Sequence, residues 1–361
     1  MSTKPEIVIY PGCRKMLPQL VAQHPVVALV YHHAPEALID ELHTLLSKNL
    51  LEIIRCPDGL PTVALADELR AKFWTTHTKR NLPIIVAIGG GSTLDLAKSL
   101  RLNLPTNTSI TSILDRKLEI DEFDSCSMIL MPTTAGTGSE VSATATIWDV
   151  EHQSKHSLYG PAVVGDWAVV DPELALTSPW TVTRDSAIDA LSHALETIWN
   201  RNRIPKAFAY AMSSAQQIVK VLPQIKADPT NVSLRTDMAN AALWAGQGMA
   251  LTETALVHAL SYDDTMLLGL THGEACGRWL PLVYQLASRS SEEMEIFLRA
   301  AMQPVISDEH ELAAWLHDLG CATVPLDDQS IETERRIACA LHTRRGRNFI
   351  ELSPQHELQK I

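Results

Sequence analysis

The sequence predicts two domains of different class: an α/β domain with a mainly parallel sheet over residues 1–174, followed by an all-α domain over residues 175–361. Three observations predict this. The chain has 361 residues and 46% hydrophobic content, more than one small core accommodates. Its first half alternates short apolar runs with helical patterns, the βαβ order of a parallel sheet covered by helices. From about residue 175 onward the periodicity is helical throughout.

The elements follow in order. Glu6–Tyr10 and Val26–Tyr31 read as strands, Pro35–Lys48 as a helix and Leu51–Arg55 as a strand. The strand Leu82–Ile88 runs directly into Gly89-Gly90-Gly91-Ser92, with a helix starting near Thr93. Glycines let backbone approach a phosphate closely, Ser92 can cap the helix, and the free amides with the helix dipole favour an anion. The spacing is not GxGxxG, and a tight connection is the alternative reading. On that helix Asp95 and Lys98 read as an exposed pair. The buried strand Met128–Met131 then opens into a loop containing Thr133, Thr134 and Thr137 with two glycines. Such hydroxyls suit ribose and adenine edges, or an ordinary turn. Asp171-Pro172 closes this domain, and Ser178-Pro179-Trp180 marks the entry to the helices.

In the second half, Arg184–Glu196 carries Asp189 and His193 four residues apart, so one ion can be reached by both from a single helix face. Glu196 adds a third polar group there, while Ala187, Leu191, Ala194 and Ile198 form the apolar side. That pattern fits either a solvated face or a metal site. His258 and His272, each embedded in apolar sequence, complete a set of one carboxylate and three imidazoles. This set suits a divalent Zn or Fe ion with a position left for substrate. The remaining helices are expected at Ala207–Val221, Asp237–Tyr262, Glu292–Met302, Glu309–Leu319 and Ile331–Leu341. Cys276 reads as a packing residue. With ligands in the second domain and nucleotide motifs in the first, catalysis is expected in a cleft between them.

Composition narrows the function. The net charge of −12 argues against nonspecific binding to nucleic acid or anionic membrane, so an anionic substrate needs a local basic pocket. Mean hydropathy is +0.01 and no run reaches the roughly 18 apolar residues of a membrane span. The opening Met1-Ser2-Thr3-Lys4-Pro5 lacks a signal-peptide pattern, and a cytoplasmic location is expected. Six cysteines without a CxxC pair read as reduced thiols.

The runs Gly89–Lys98, Pro132–Glu140 and Ile188–Glu196, with His258 and His272 in the same order, resemble the iron-containing (group III) alcohol dehydrogenase family over nearly the whole chain. The resemblance implies the dehydroquinate synthase-like fold of that family, with a dinucleotide-binding domain followed by a metal-binding one. It implies Asp189, His193, His258 and His272 as ligands of Fe2+ or Zn2+. It also implies NAD(P)H on Gly89, Gly90, Gly91, Ser92, Asp95, Thr133, Thr134 and Thr137, with Lys155 near the nicotinamide ribose. The ion would polarise an aldehyde oxygen as hydride arrives from the nicotinamide. A homodimer acting on a small aldehyde or alcohol is the expected assembly.

Two positions depart from the family pattern. A further histidine usually follows the third ligand by four residues, and here that place is Tyr262, whose hydroxyl could pass a proton or orient substrate. The strand that usually ends in an aspartate for the NAD ribose ends here in Val30-Tyr31-His32-His33, which makes NADPH at least as plausible as NADH. The segments His258–Tyr262, Thr271–Cys276 and Arg344–Phe349 are similar to a branch that reduces phosphonoacetaldehyde to 2-hydroxyethylphosphonate. Lys155, Arg344, Arg345 and Arg347 are the expected anion contacts, with His156, Arg184 and Arg278 as further candidates. The alternatives are a general short-chain or sulfoacetaldehyde reductase, a glycerol dehydrogenase-like enzyme, a dehydroquinate synthase-like lyase, and a non-catalytic nucleotide- and metal-binding protein.

Overall fold

The computed structural model describes residues 4–77, 82–105, 107–119 and 123–350, so the Met1-Ser2-Thr3 opening lies outside the described residues. The chain separates into two compact units, one made of the stretch up to Thr134 with Ser139–Ala175, the other of Ala135–Gly138 with the stretch from Leu176 onward.

In the first unit, six described strands form a wholly parallel sheet: β1 (Glu6–Ile9), β2 (Val26–Val30), β3 (Leu50–Arg55), β4 (Ile84–Gly89), β5 (Met128–Pro132) and β8 (Trp167–Val170), in the order β1-β8-β5-β4-β2-β3. β2, β4 and β5 are buried along their whole length, as the continuous apolar runs require of strands covered on both faces. Alternate residues serve opposite layers. Val26, Val30, Val86, Ile88 and Ile129 pack with Leu17, Leu38 and Leu42 of α1 (Leu17–Val21) and α2 (Glu36–Leu46). Val27, Leu29, Ile85, Ala87 and Leu130 pack with Phe73 of α3 (Val63–Thr76) and Leu94 and Ala97 of α4 (Gly91–Leu100). The antiparallel hairpin β6 (Thr144–Asp149) and β7 (Ser154–Tyr159), which periodicity alone does not separate from loop, joins that second layer through Ile147 and Leu158.

From β2 the chain steps outward to β3, then returns across β2 to β4, so neighbouring connections leave in opposite directions between β2 and β4. Ligands of open α/β sheets bind beside the carboxyl ends of strands at such a switch point.

The second unit is helical: α5 (Trp180–Ile198), α6 (Pro205–Ala227), α7 (Val232–Thr252), α8 (Leu256–Leu268), α9 (His272–Ser288), α10 (Glu292–Met302), α11 (Glu309–Asp318) and α12 (Ile331–Leu341). Its core gathers Ile188, Leu191 and Leu195 of α5 with Ile218 and Leu222 of α6 and Leu280 and Val283 of α9. No described helix is long and apolar enough to cross a membrane.

Three sequence expectations are corrected here. The helix expected over 237–262 is two helices, because the chain breaks at Glu253, which takes φ 62°. Neither glycine nor proline marks the break; Glu196 of α5 and Asn200 just beyond that helix impose it. Asn200 donates to the carbonyls of Thr252 (3.2 Å) and Glu253 (3.1 Å), and Glu196 accepts from the amides of Ala255 (2.7 Å) and His258 (3.1 Å). Side chains thus satisfy the free ends of both helices. Second, α9 is a full helix that periodicity did not delimit. Third, α5 has no solvated face: from Thr183 to Ile198 every residue but Ser186 is buried.

The position of α9 depends on Gly273. A Cβ at this glycine would lie 1.8 Å from the Asp185 carbonyl oxygen, so α9 starts in backbone contact with α5. Gly273→Ala is expected to force the helices apart and to destabilise by about 3 kcal/mol. Gly269→Ala meets nothing within 4 Å but sits at φ 69° and should lose only about 1 kcal/mol. Urea unfolding of the two variants checks this, and equal losses would refute the packing argument.

Candidate metal and nucleotide sites

The metal-ligand candidates come together around one oxygen. Asp189 Oδ1 lies 3.2 Å from His258 Nε2, 3.6 Å from His193 Nε2 and 3.8 Å from His272 Nε2. These separations bracket about 3.4 Å, the edge of a tetrahedron whose centre is about 2.1 Å from each donor. Asp189, His258 and His272 lie mutually within 4.8 Å and so suit one divalent ion, with His193 approaching the same cluster through Asp189 Oδ1.

Each donor has a reason for its place. Asp189 and His193 are one turn apart on α5, as their spacing predicts. The His193 ring stacks on that of His258 with centroids 4.7 Å apart. His258 sits in the first turn of α8 with Nδ1 held 2.8 Å from Glu196 Oε2, which turns Nε2 toward Asp189. His272 is the first residue of α9, whose N-cap Thr271 is anchored by donating to Asp185 Oδ2 at 2.7 Å. Tyr262, one turn beyond His258, places its ring parallel to that of His272 with centroids 6.2 Å apart.

The electrostatics agree with a cation site. Asp189 and Glu196 bring two carboxylates into the interior, a charge that a divalent ion would balance. Burial opposes ionisation of Asp189, yet the surrounding His193, His258 and His272 hold its pKa well below the carboxylate range. Burial also disfavours charge on His258, but Cys276, Glu196 and Asp189 together raise it well above the usual value. His193 is pushed down to about 4, chiefly by burial, and so presents a neutral ring of the kind that ligates metals.

Two residues stand closer to the cluster than their sequence context showed. Glu196 was placed as a third polar group on the ligand face, whereas here it accepts from the backbone of Ala255 and from both the amide and the ring of His258. The only signal was its spacing, three residues after His193. Cys276 is wholly buried, and its sulfur lies within 4.8 Å of the donor atoms of Asp189, His258 and His272.

The nucleotide candidates lie in part at the switch point. β4 ends at Gly89 and α4 begins at Gly91, with Gly90 as N-cap and no side-chain cap. Ser92, expected to cap, lies inside the helix instead. No side chain caps the first turn of α4, an arrangement that suits an anion. Gly89 has no room for a side chain, since a Cβ would lie 2.5 Å from Thr93. Thr133 donates its amide to the Gly89 carbonyl at 3.0 Å, and a Cβ on Gly90 would lie 3.5 Å from Thr134, so both threonines border the turn. Thr137 lies in the segment that groups with the helical unit, where Gly136 and Gly138 allow close contact with Ser186 of α5 and Gly246 of α7. Those two glycines answer to helix packing.

Asp95 and Lys98 are not an exposed pair. Both are buried on the inner side of α4, which packs against β6. Asp95 accepts from Ser139 Oγ (2.7 Å) and the Thr146 amide (2.8 Å), while Lys98 donates to the carbonyls of Ser142 (3.0 Å) and Thr144 (2.7 Å). They brace α4 beneath the glycine turn. Lys155 on β7 lies over the Trp148 ring at 5.4 Å and near enough to Asp95 to favour its charge. At the end of β2, His33 has Asp58 3.5 Å away, both largely exposed.

The anion candidates separate clearly. Arg184 pairs with Asp185 (2.6 Å), Arg278 with Asp264 (3.3 Å), His156 with Asp115 (2.6 Å) and Arg344 with Glu253 (2.7 Å). Arg347 is exposed and donates to the His342 carbonyl at 3.1 Å. Arg345 alone of the three loop arginines turns toward the histidines. It donates to Thr254 Oγ1, lies 5.9 Å from the centre of the Tyr262 ring, and its charge reaches His193.

Comparison with known proteins gives two family matches. Residues 4–172 match the description "Iron-containing alcohol dehydrogenase", and residues 183–343 match "Fe-containing alcohol dehydrogenase family, C-terminal". Phosphonoacetaldehyde reductase of Streptomyces viridochromogenes is 32% identical over 226 residues, 61% of this chain and 55% of that protein. Long-chain-alcohol dehydrogenase 1 of Geobacillus thermodenitrificans is 31% identical over 250 residues, covering 68% and 62% respectively. The chain thus spans less than two thirds of the length of these relatives. Among solved structures, sulfoacetaldehyde reductase from Bifidobacterium kashiwanohense in complex with NAD+ has a TM-score of 0.81 at 24% identity, covering 96% of this chain and 93% of that one. A 1,3-propanediol oxidoreductase has a TM-score of 0.82 at 22% identity, covering 96% and 94%. At those identities the structures establish a shared fold.

The geometry assigns Glu196 to orienting His258. Glu196→Gln is therefore expected to lower Zn2+ affinity about 10- to 100-fold while the helical content is kept. Competition with a chromophoric chelator measures it, and unchanged affinity would show that the carboxylate only caps α8.

Proposed function

The chain belongs to the iron-containing alcohol dehydrogenase family, and on that premise we propose that it is a metal-dependent NAD(P)H oxidoreductase that reduces a small anionic aldehyde, with phosphonoacetaldehyde as the leading substrate. The observation that carries the chemistry is the convergence of His193, His258 and His272 on Asp189 Oδ1. When bound, the ion supplies a Lewis acid that polarises the carbonyl oxygen, and the nicotinamide supplies the hydride.

The chain's residues have distinct tasks in this reading. Asp189, His193, His258 and His272 hold the ion, and Glu196 fixes the His258 ring. The glycine turn Gly89–Gly91, with the amides of α4 and the neighbouring Thr133 and Thr134, cradles the pyrophosphate. Tyr262, ring to ring with His272, orients the substrate and stands where a proton could be handed to the product oxygen. Arg345 supplies the cation that a net charge of −12 otherwise denies to a phosphonate. Its guanidinium fork matches two phosphonate oxygens at once. The likeness to phosphonoacetaldehyde reductase supports this substrate, and the shared fold with a sulfoacetaldehyde reductase suits the same class of anion.

The cofactor reading is tested first. The strand β2 ends without a carboxylate, so NADPH is expected to be used within about tenfold of NADH, a difference of ~1.4 kcal/mol or less. A thousandfold preference for NADH in initial-rate assays would contradict this and point to Asp58, beside His33, as the group that reads the ribose.

The substrate reading is tested on a matched pair. Phosphonoacetaldehyde should be reduced far better than propanal. Arg345→Leu should lose about 2 kcal/mol or more in kcat/KM for the anion and leave propanal unchanged, whereas Arg347→Leu should alter neither. Sulfoacetaldehyde, assayed alongside, reports whether a monoanion suffices. Equal kcat/KM for phosphonoacetaldehyde and propanal in the parent protein would leave a general aldehyde reductase.

A further inference from the structure

We propose that Cys276 is an additional donor to the metal site, so that the ion is held by a mixed oxygen, nitrogen and sulfur set rather than by Asp189 and histidines alone. The proposal rests on the metal-dependent reading above and goes beyond it in naming a sulfur ligand. The argument begins from helical spacing. Cys276 is four residues after His272 on α9, so their side chains share one face, as Asp189 and His193 do on α5. Two i,i+4 donor pairs thus stand on helices pressed together at Gly273.

The sulfur is fully buried and lies with the donor atoms of Asp189, His258 and His272 in a group whose members are all within 4.8 Å of one another. A cysteine that merely filled space would face apolar neighbours. Cys321 differs from Cys276, since its sulfur lies beside Gly277 and Ile188 and makes only long contacts to the carbonyls of Glu274 and Ala322, with no imidazole among its described partners. Cys276 instead faces three potential ligands. Sulfur binds as the thiolate, its proton passing to solvent when the ion enters. A thiolate beside imidazoles favours softer divalent ions such as Zn2+ and Co2+ over Fe2+. The consequence is a site whose metal preference is set partly by α9.

Cobalt substitution tests this without reference to turnover. Full-length protein stripped of metal and reloaded with Co2+ should show visible d–d absorption from the bound ion together with a near-ultraviolet thiolate-to-cobalt charge-transfer band. Cys276→Ser should keep the d–d absorption and lose the charge-transfer band, while Cys321→Ser should keep both. The ratio of Zn2+ to Fe2+ affinity should fall about tenfold or more in Cys276→Ser. Because a buried hydroxyl can itself disturb folding, Cys276→Ala serves as a second variant, and the parent spectrum is decisive without either. Visible absorption lacking the charge-transfer band in the parent, or a band that survives in Cys276→Ser, would overturn the sulfur ligand while leaving the metal reading intact. Absence of any cobalt absorption would overturn both.

Discussion

The helical unit depends on one buried carboxylate. Glu196 is fully removed from solvent, and a lone charge there would be prohibitively destabilising, so the surrounding structure is organised to satisfy it. It accepts from the amides of Ala255 and His258 and from His258 Nδ1. Two of these bonds start α8, and the third aims the ring that completes the metal-ligand cluster. Breaking the chain between α7 and α8 and orienting His258 are one interaction seen from two sides. Charge-assisted hydrogen bonds of this kind are stronger and more directional than neutral ones, which suits a site whose donors must hold place to within a few tenths of an ångström.

The same break recruits the end of the described chain. Thr254, between the two helices, accepts from Arg345 through its hydroxyl and from Asn348 through its carbonyl, at 2.9 Å for the latter. The loop Thr343–Asn348 is thereby fixed beside Tyr262, and one of its three arginines is turned inward while Arg344 pairs with Glu253 at the surface. Donor set, tyrosine and guanidinium are assembled from α5, α8, α9 and this loop, residues far apart in the chain. The break that places His258 also places the proposed substrate cation.

The nucleotide unit follows a different logic, with a rigid sheet and a turn left open at the switch point. Asp95 and Lys98 illustrate how buried charge is tolerated there. Burial raises the Asp95 carboxyl and lowers the Lys98 amine to about 8, yet each charge finds the other and a set of hydrogen bonds to the 139–146 segment. These charges sit on the inner side of α4, just after the glycine turn, and hold the helix in line.

Much was legible in the residues themselves. The parallel sheet followed from apolar runs alternating with helical patterns, because strands covered on both faces must be apolar throughout. The glycine turn followed from three successive glycines at a strand end, and Asp189 with His193 from their one-turn spacing on a helix. What the sequence by itself could not decide were the features set by distant partners. A helix that stops at Glu253 without glycine or proline stops because Asn200 and Glu196, more than fifty residues earlier, satisfy its broken ends. Asp95 and Lys98 look like surface residues until β6 closes over them, and that Cys276 stands beside Asp189, His258 and His272 emerges only when α9 is laid against α5. Local spacing encodes which side chains share a face. Only the tertiary structure, through close approach and the need to satisfy every buried polar group, decides what that face meets.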